Sequence, residues 1–128
     1  MRLLLDTATF LWYILDSPRL SAGVREALTS PANEPLMSSV SAWEIAVKHH
    51  LGRLALPEDP RQLIPRARTD HGIGSLAFDE ESALQLGVLP DLHGDPFDRM
   101  LICQALIGGI AIVTPDEMIR RYPVRTFW

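Results

Sequence analysis

Apolar and polar positions along the chain switch between two repeating patterns, one typical of strands and one typical of helices. Short apolar runs bounded by polar or turn-forming residues predict five strands, at residues 2–5, 36–39, 75–78, 110–113 and 124–128. Longer stretches with helical spacing lie between them and predict helices at residues 7–15, 21–28, 41–50, 62–70, 79–86 and 95–107, with a short one beginning at 114–117. Strands and helices therefore alternate over most of the chain.

Residues that begin and end helices support several of these boundaries. Ser21 suits the N-cap of the second helix, and Asp95 followed by Pro96 is a strong helix start. The pair Gly108-Gly109 is a strong helix end. Residues 57–65, which contain three prolines, are predicted to be a connection that leads into the helix expected around residues 62–70.

Alternating strands and helices are typical of an α/β fold with a mainly parallel sheet and helices on both of its faces. A length of 128 residues suits one hydrophobic core. No linker divides the sequence, so we expect a single domain over residues 1–128.

Composition and the apolar segments indicate the class of protein and its cellular compartment, but not its function. The chain is 47% hydrophobic and 22% charged, as in ordinary globular proteins. Asp6 interrupts the apolar N-terminus, which argues against a signal peptide, and residues 101–113 are too short to span a bilayer, which takes about 20 residues. The single cysteine, Cys103, cannot form an intrachain disulfide and is expected in the core. We therefore expect a cytoplasmic protein.

Five acidic residues are predicted at one edge of the sheet, because each follows a strand or begins a helix. They are Asp6, Glu44, Asp95, Asp98 and Asp116. The carboxyl ends of parallel strands and the N-termini of helices meet at that edge. Crowded carboxylates repel one another, and a divalent cation such as Mg²⁺ or Mn²⁺ relieves that repulsion. Such a site suits metal-assisted phosphodiester hydrolysis.

Helix capping is the alternative explanation for most of these acids. Asp95 before Pro96 is a good N-cap, and a carboxylate at Asp98 is favoured by the helix dipole. Glu44 has capping-box spacing from Ser41. Asp116 lies in a first turn that Thr114 could cap, with Glu117 completing the box. For Asp6, directly after a strand of leucines, the sequence suggests no capping role.

The net charge of −4 and pI of about 5.5 are unlike those of a protein that grips nucleic acid by charge alone. Bound divalent metal offers one explanation, because it reverses the local charge of an acidic cluster.

Four motifs, in this order and at these intervals, resemble the PIN-domain toxins (VapC) of VapBC toxin–antitoxin modules. The resemblance covers essentially the whole chain. The motifs are Leu3-Leu4-Leu5-Asp6-Thr7, Ser41-Ala42-Trp43-Glu44-Ile45-Ala46, Asp95-Pro96-Phe97-Asp98-Arg99-Met100-Leu101 and Ile112-Val113-Thr114-Pro115-Asp116.

The resemblance implies a three-layer α/β/α sandwich and a Mg²⁺- or Mn²⁺-dependent endoribonuclease. It also implies a homodimer and neutralisation by a VapB-like antitoxin, through which operator DNA is bound. The family's catalytic and metal-binding acids fall on Asp6, Glu44, Asp98 and Asp116. Asp95 matches an additional acid of one subgroup, and Thr114 matches a supporting polar position.

Two positions depart from the family pattern. Related sequences commonly have His where this chain has Ala8 and Arg where it has Gly94. Both changes remove polar groups near the expected site, which affects substrate positioning more than metal binding.

Two other functions fit parts of the sequence. A phosphatase of the haloacid dehalogenase type also begins with an acid after a leucine-rich strand. It needs a second Asp where this chain has Ala8 and a downstream Lys, and Lys48, the only lysine, lies in the wrong context. A catalytically silent PIN-like module that binds RNA or protein is the other alternative, and the four intact acids argue against it.

Overall fold

A computed structural model describes residues 1–128 and contains one five-stranded parallel sheet. Its strands are β1 (Arg2–Leu5), β2 (Glu34–Ser38), β3 (Gly74–Leu76), β4 (Ala111–Val113) and β5 (Thr126–Phe127). Their order across the sheet is β3-β2-β1-β4-β5, so β1 lies at the centre. All four strand pairings are parallel.

Helices connect the strands and cover both faces of the sheet. They are α1 (Thr7–Ile14), α2 (Ala22–Thr29), α3 (Ser39–His50), α4 (Pro60–His71), α5 (Glu80–Leu84), α6 (Pro96–Gly108) and α7 (Glu117–Arg120). A 3-10 turn, Gln85–Val88, follows α5. The α/β fold with a parallel sheet, predicted from the alternation of elements, is confirmed.

The side chains of β1 alternate between two cores, one on each face of the sheet. Leu3 and Leu5 belong to the core built with α1, α2 and α4, whereas Leu4 belongs to the core built with α6 and α7. All three leucines are fully buried. A continuous run of apolar residues such as these leucines is expected in a strand at the centre of a sheet covered on both faces.

Helix α4 begins at Pro60, two residues before the predicted start, so that residues 60–65 of the expected connection, Pro65 included, are helical. A proline inside a helix lacks the N–H of one backbone hydrogen bond and usually disfavours helix. Ile64 and Ala67 are buried in the core on this face of the sheet, and their burial offsets that cost. Tertiary packing overrides the local preference here.

Two aromatic residues contribute to the interior rather than to a free surface. Tyr13 is buried in the core, and Trp12 is half-buried, with its ring centroid 5.9 Å from that of Trp128. Large aromatic side chains often mark a subunit interface, but the packing of these two within the chain gives no reason to expect one here. Cys103 is buried, as predicted. None of the helices combines the length and the apolar character that crossing a membrane requires.

Candidate active site

Two of the predicted acids follow strands β1 and β4, which end side by side. The N–H of Asp6 donates to the carbonyl of Val113 at 3.3 Å, which joins the ends of the two strands. Asp6 follows β1, and Asp116 follows β4 after two residues. Asp98 lies in the first turn of α6, and Glu44 lies on α3.

Asp6 is the N-cap of α1, a role that the sequence did not suggest. Its Oδ1 accepts from the N–H of Thr9 at 2.8 Å, and its Oδ2 accepts from the hydroxyl of Thr114 at 2.5 Å. The side chain is nearly buried, with the residue 6% exposed. Burial raises the pKa of Asp6; the Thr114 and Thr9 hydrogen bonds oppose the rise, and the charge of Asp116 adds to it. Capping therefore explains part of its placement, and an ionised Asp6 is costly there.

Thr114 joins two of the acids. Its buried hydroxyl donates to Asp6 and accepts from the N–H of Asp116 at 3.0 Å. Asp116 is itself the N-cap of α7, because its Oδ1 accepts from the N–H of Met118 at 2.8 Å. The prediction that Thr114 caps this helix is therefore wrong, but Thr114 does contact the acidic cluster.

Glu44 is held by two side chains of different kinds. The hydroxyl of Thr7 donates to its Oε1 at 2.6 Å, and Lys48, one turn further along α3, forms an ion pair with its Oε2. The capping box with Ser41 is wrong, because α3 begins earlier and Ser38 is its N-cap. The contact with Thr7 ties Glu44 to the residue that follows Asp6.

The carboxyl group of Asp98 has a pKa well above its ordinary value. Burial raises its pKa to about 6, the charges of Asp95 and Asp116 add to the rise, and the hydrogen bond from His93 opposes it. Asp95 is the N-cap of α6, as predicted, and accepts from the N–H groups of Phe97 at 2.9 Å and Asp98 at 3.1 Å. Asp95 therefore has a sufficient structural role.

His93 was not predicted to contribute. Its Nε2 lies 3.0 Å from Oδ2 of Asp98, and its Nδ1 lies 2.7 Å from the hydroxyl of Tyr122. No spacing in the sequence signals a contact between His93 and a tyrosine 29 residues away. Thr7 and Lys48 also contact the site through Glu44, although nothing in the sequence indicated this.

The electrostatics of the cluster suit a divalent cation. No lysine or arginine forms an ion pair with Asp6, Asp98 or Asp116, although the charge of Asp116 acts on both of the others. Carboxylate oxygens are the ligands that Mg²⁺ and Mn²⁺ prefer. As positioned, no three His, Cys, Asp or Glu side chains form a ready metal cage. The chemistry of the donor set fits such an ion, although the side chains must move closer together to hold it.

The two departures from the family pattern lie at open positions. Ala8 is exposed on α1. A Cβ added at Gly94 would meet nothing within 4 Å, and Gly94 lines a cavity of about 480 Å³ together with Phe78 and Met100. Neither position is therefore required for packing.

The sequence also resembles those of known proteins. Residues 3–124 match the PIN domain family model. The chain is 31% identical over 111 residues to Ribonuclease VapC16 of Mycobacterium tuberculosis strain ATCC 25618 / H37Rv, covering 84% of this chain and 74% of that protein.

Two solved structures have the same fold. One is VapBC2 from Rickettsia felis bound to a DNA fragment from their promoter, with a TM-score of 0.75 and 16% identity over 99% of this chain and 98% of the other. The second is DNA-bound VapBC from Salmonella typhimurium, with a TM-score of 0.67 and 19% identity over 99% and 97% of the two chains. With the family model matching nearly the whole chain and a ribonuclease as a relative, the chain belongs to the PIN domain family.

Proposed function

We propose that this chain is a Mg²⁺- or Mn²⁺-dependent endoribonuclease, the toxin component of a type II toxin–antitoxin module, acting as a single domain. The observation that carries the proposal is the group of three acids, with Asp6 after β1, Asp116 after β4 and Asp98 in the first turn of α6. No lysine or arginine forms an ion pair with any of them. The 31% identity to a ribonuclease of the same family supports RNA as the substrate.

Each residue of the site has a proposed part. Asp6 and Asp98 are the primary metal ligands, and Glu44 and Asp116 complete or orient the set. A bound divalent cation would lower the pKa of a water molecule and neutralise charge on the phosphate oxygens. Thr114 holds Oδ2 of Asp6, which leaves the carboxylate a single orientation while Thr9 holds Oδ1.

Metal removal tests the proposal directly. RNA cleavage by the purified chain should fall to background in EDTA and return when excess Mg²⁺ or Mn²⁺ is added, because the acids alone supply no cation to the phosphate. The measurement is gel analysis of a labelled RNA with time. Cleavage that is unchanged in EDTA would contradict metal dependence. RNA binding without cleavage in either metal would instead support the silent PIN-like binding module.

A protein partner follows from the same assignment. We expect a VapB-like antitoxin whose C-terminal segment folds on this chain and blocks the acidic site, where a cationic side chain would be attracted. Operator DNA would be bound only through the antitoxin. When it is expressed together with the protein encoded immediately upstream of it, the chain should co-purify with that protein and lose nuclease activity. Equal activity and equal host growth with and without the upstream protein would contradict this expectation.

Self-association is also expected, as a two-fold homodimer, the commonest closed assembly. The surface that favours it is the exposed apolar group Leu84, Leu86 and Val88, which are 72%, 53% and 75% exposed at α5 and the turn after it. Light scattering at micromolar concentration should give the mass of a dimer, and Val88→Asp should lower it towards 14.3 kDa, the mass of one chain. A monomer mass for the parent chain would exclude the dimer.

A further inference from the structure

The hydroxyl of Tyr122 lies at the centre of a buried hydrogen-bond network beside Asp98. The residue is 4% exposed. Its oxygen lies 2.9 Å from Nη1 of Arg99, 3.2 Å from the backbone N–H of His93 and 2.7 Å from Nδ1 of the His93 ring. Three groups therefore share one hydroxyl, which has one hydrogen and two acceptor lone pairs.

The identities of these groups decide where the hydroxyl hydrogen lies. The guanidinium of Arg99 and the backbone N–H of His93 can only donate, so they occupy both lone pairs of the Tyr122 oxygen. The hydroxyl hydrogen is left for Nδ1 of His93, which must accept it. A neutral imidazole that accepts at Nδ1 carries its proton on Nε2.

The proton on Nε2 of His93 faces a carboxylate oxygen. Nε2 lies 3.0 Å from Oδ2 of Asp98, a normal length for a donated hydrogen bond. Oδ1 of Asp98 has no hydrogen-bond partner in the protein, whereas Oδ2 is held by His93. The two oxygens of this carboxylate are therefore not equivalent.

The network is anchored at its far end, so that the imidazole has little freedom to rotate. Arg99 donates to the carbonyl of Pro90 at 2.9 Å and to Oδ1 of Asp91 at 2.9 Å, which fixes the loop that carries His93. The His93 side chain is 13% exposed, and its ring packs edge-on to the Tyr122 ring with centroids 5.4 Å apart.

We propose that His93 is a positioning residue for Asp98: its Nε2–H, oriented by Tyr122, holds Oδ2 and presents Oδ1 to the divalent cation. This inference rests on the proposed function, because it takes Asp98 as a metal ligand. Groups that hydrogen-bond to metal ligands in this way commonly contribute about 10- to 100-fold to metal affinity. His93 acts on the cation only through the Asp98 carboxylate.

Two matched substitutions separate this role from simple packing. The amide nitrogen of glutamine can reach the position of Nε2, and that of asparagine only the position of Nδ1. His93→Gln therefore keeps a donor for Asp98, whereas His93→Asn keeps a polar group for Tyr122 and loses the donor. Mn²⁺ affinity, measured from the free Mn²⁺ signal in electron paramagnetic resonance, should weaken about tenfold or more in His93→Asn and stay within about threefold in His93→Gln. Thermal melting of each variant reports whether it is folded.

The unsubstituted, metal-free chain provides an independent readout. Long-range ¹H–¹⁵N correlation spectra should show the His93 ring protonated on Nε2 and bare on Nδ1, with the signal assigned by its absence in His93→Gln. The opposite tautomer would overturn the proposal even if a variant fails to fold.

Asp98→Asn distinguishes failure of this inference from failure of the proposed function. If Asp98→Asn loses Mn²⁺ affinity but His93→Asn binds Mn²⁺ as well as His93→Gln, the positioning role alone is wrong. If Asp98→Asn binds Mn²⁺ as tightly as the parent, the metal assignment is wrong and the positioning role falls with it.

Discussion

Asp98→Asn should abolish metal-dependent RNA cleavage and leave the folded chain at least as stable as the parent at pH 8. The substitution keeps the shape of the side chain but removes the charge that attracts the cation. Mutation of a residue that hydrogen-bonds to a metal ligand typically lowers metal affinity or activity by roughly 10- to 100-fold. Loss of the ligand itself should have a larger effect, so we expect the cleavage rate to fall by at least about 100-fold. The measurement is the cleavage rate in excess Mg²⁺ or Mn²⁺.

The stability part of this prediction follows from the pKa of Asp98. Burial raises it from 3.8 to about 6, so the ionised carboxylate destabilises the fold at pH 8. A rise of this size corresponds to on the order of 3 kcal/mol, which is the upper limit of the gain in free energy of unfolding when the charge is removed. Urea unfolding without metal measures this gain.

Two other acids provide controls for Asp98→Asn. Asp70 is exposed on α4, so Asp70→Asn makes the same change in net charge and should leave cleavage unaltered. Asp95→Asn should be mild, because asparagine also caps helices well. Cleavage by Asp98→Asn at the parental rate would remove Asp98 from the proposed metal site.

Mn²⁺ affinity should fall steeply as the pH drops below about 6. A carboxyl group must lose its proton before it binds a cation, and the pKa of Asp98 is about 6 in the metal-free fold. Below that pH, affinity should fall about tenfold for each pH unit from this group alone, and above it the contribution of Asp98 levels off. Titrations with Mn²⁺ at pH 5, 6, 7 and 8 measure the effect. Equal affinities at pH 5 and pH 7 would contradict it.

Without metal, the ionisation of Asp98 should lower the stability of the fold as the pH rises, whereas with metal the same ionisation raises Mn²⁺ affinity. The folded pKa of Asp98 is above the ordinary value, so the folded state holds its proton more tightly than the unfolded state does. Its contribution to the free energy of unfolding is therefore fully present below pH 3.8 and is lost as the pH rises to about 6. The raised pKa of Asp6 acts with the same sign. Urea unfolding of the parent and of Asp98→Asn should therefore diverge as the pH rises through this range.

Several features of the fold and site could be predicted from local sequence because short-range physics decides them. The leucine run of β1 indicated a buried strand, and Asp95 before Pro96 indicated the start of α6, where both are found. Parallel strands bring their carboxyl ends to one edge, so the positions of Asp6 and Asp116 after β1 and β4 sufficed to predict that they would share that edge.

Other local signals were misleading because tertiary contacts outweighed them. Pro65 indicated a connection, yet burial of its neighbours on α4 keeps it in a helix. The spacing of Ser41 and Glu44 indicated a capping box, yet α3 begins at Ser39 and Glu44 contacts Thr7 instead. A proline inside a helix costs about 3 kcal/mol and most other local preferences about 1 kcal/mol or less, and burial of several side chains against a sheet can exceed either.

The sequence by itself determined the alternation of strands and helices, the acidic residues and the edge of the sheet on which they lie. The tertiary structure alone decided which atoms meet there. Thr114 contacts Asp6 across 108 residues, and Tyr122 contacts His93 across 29. Such contacts leave no periodic pattern in the sequence, because hydrogen bonds between distant residues depend on how the whole sheet brings its loops together. Helix and strand periods, in contrast, come from the backbone geometry of neighbouring residues and can be read along the chain.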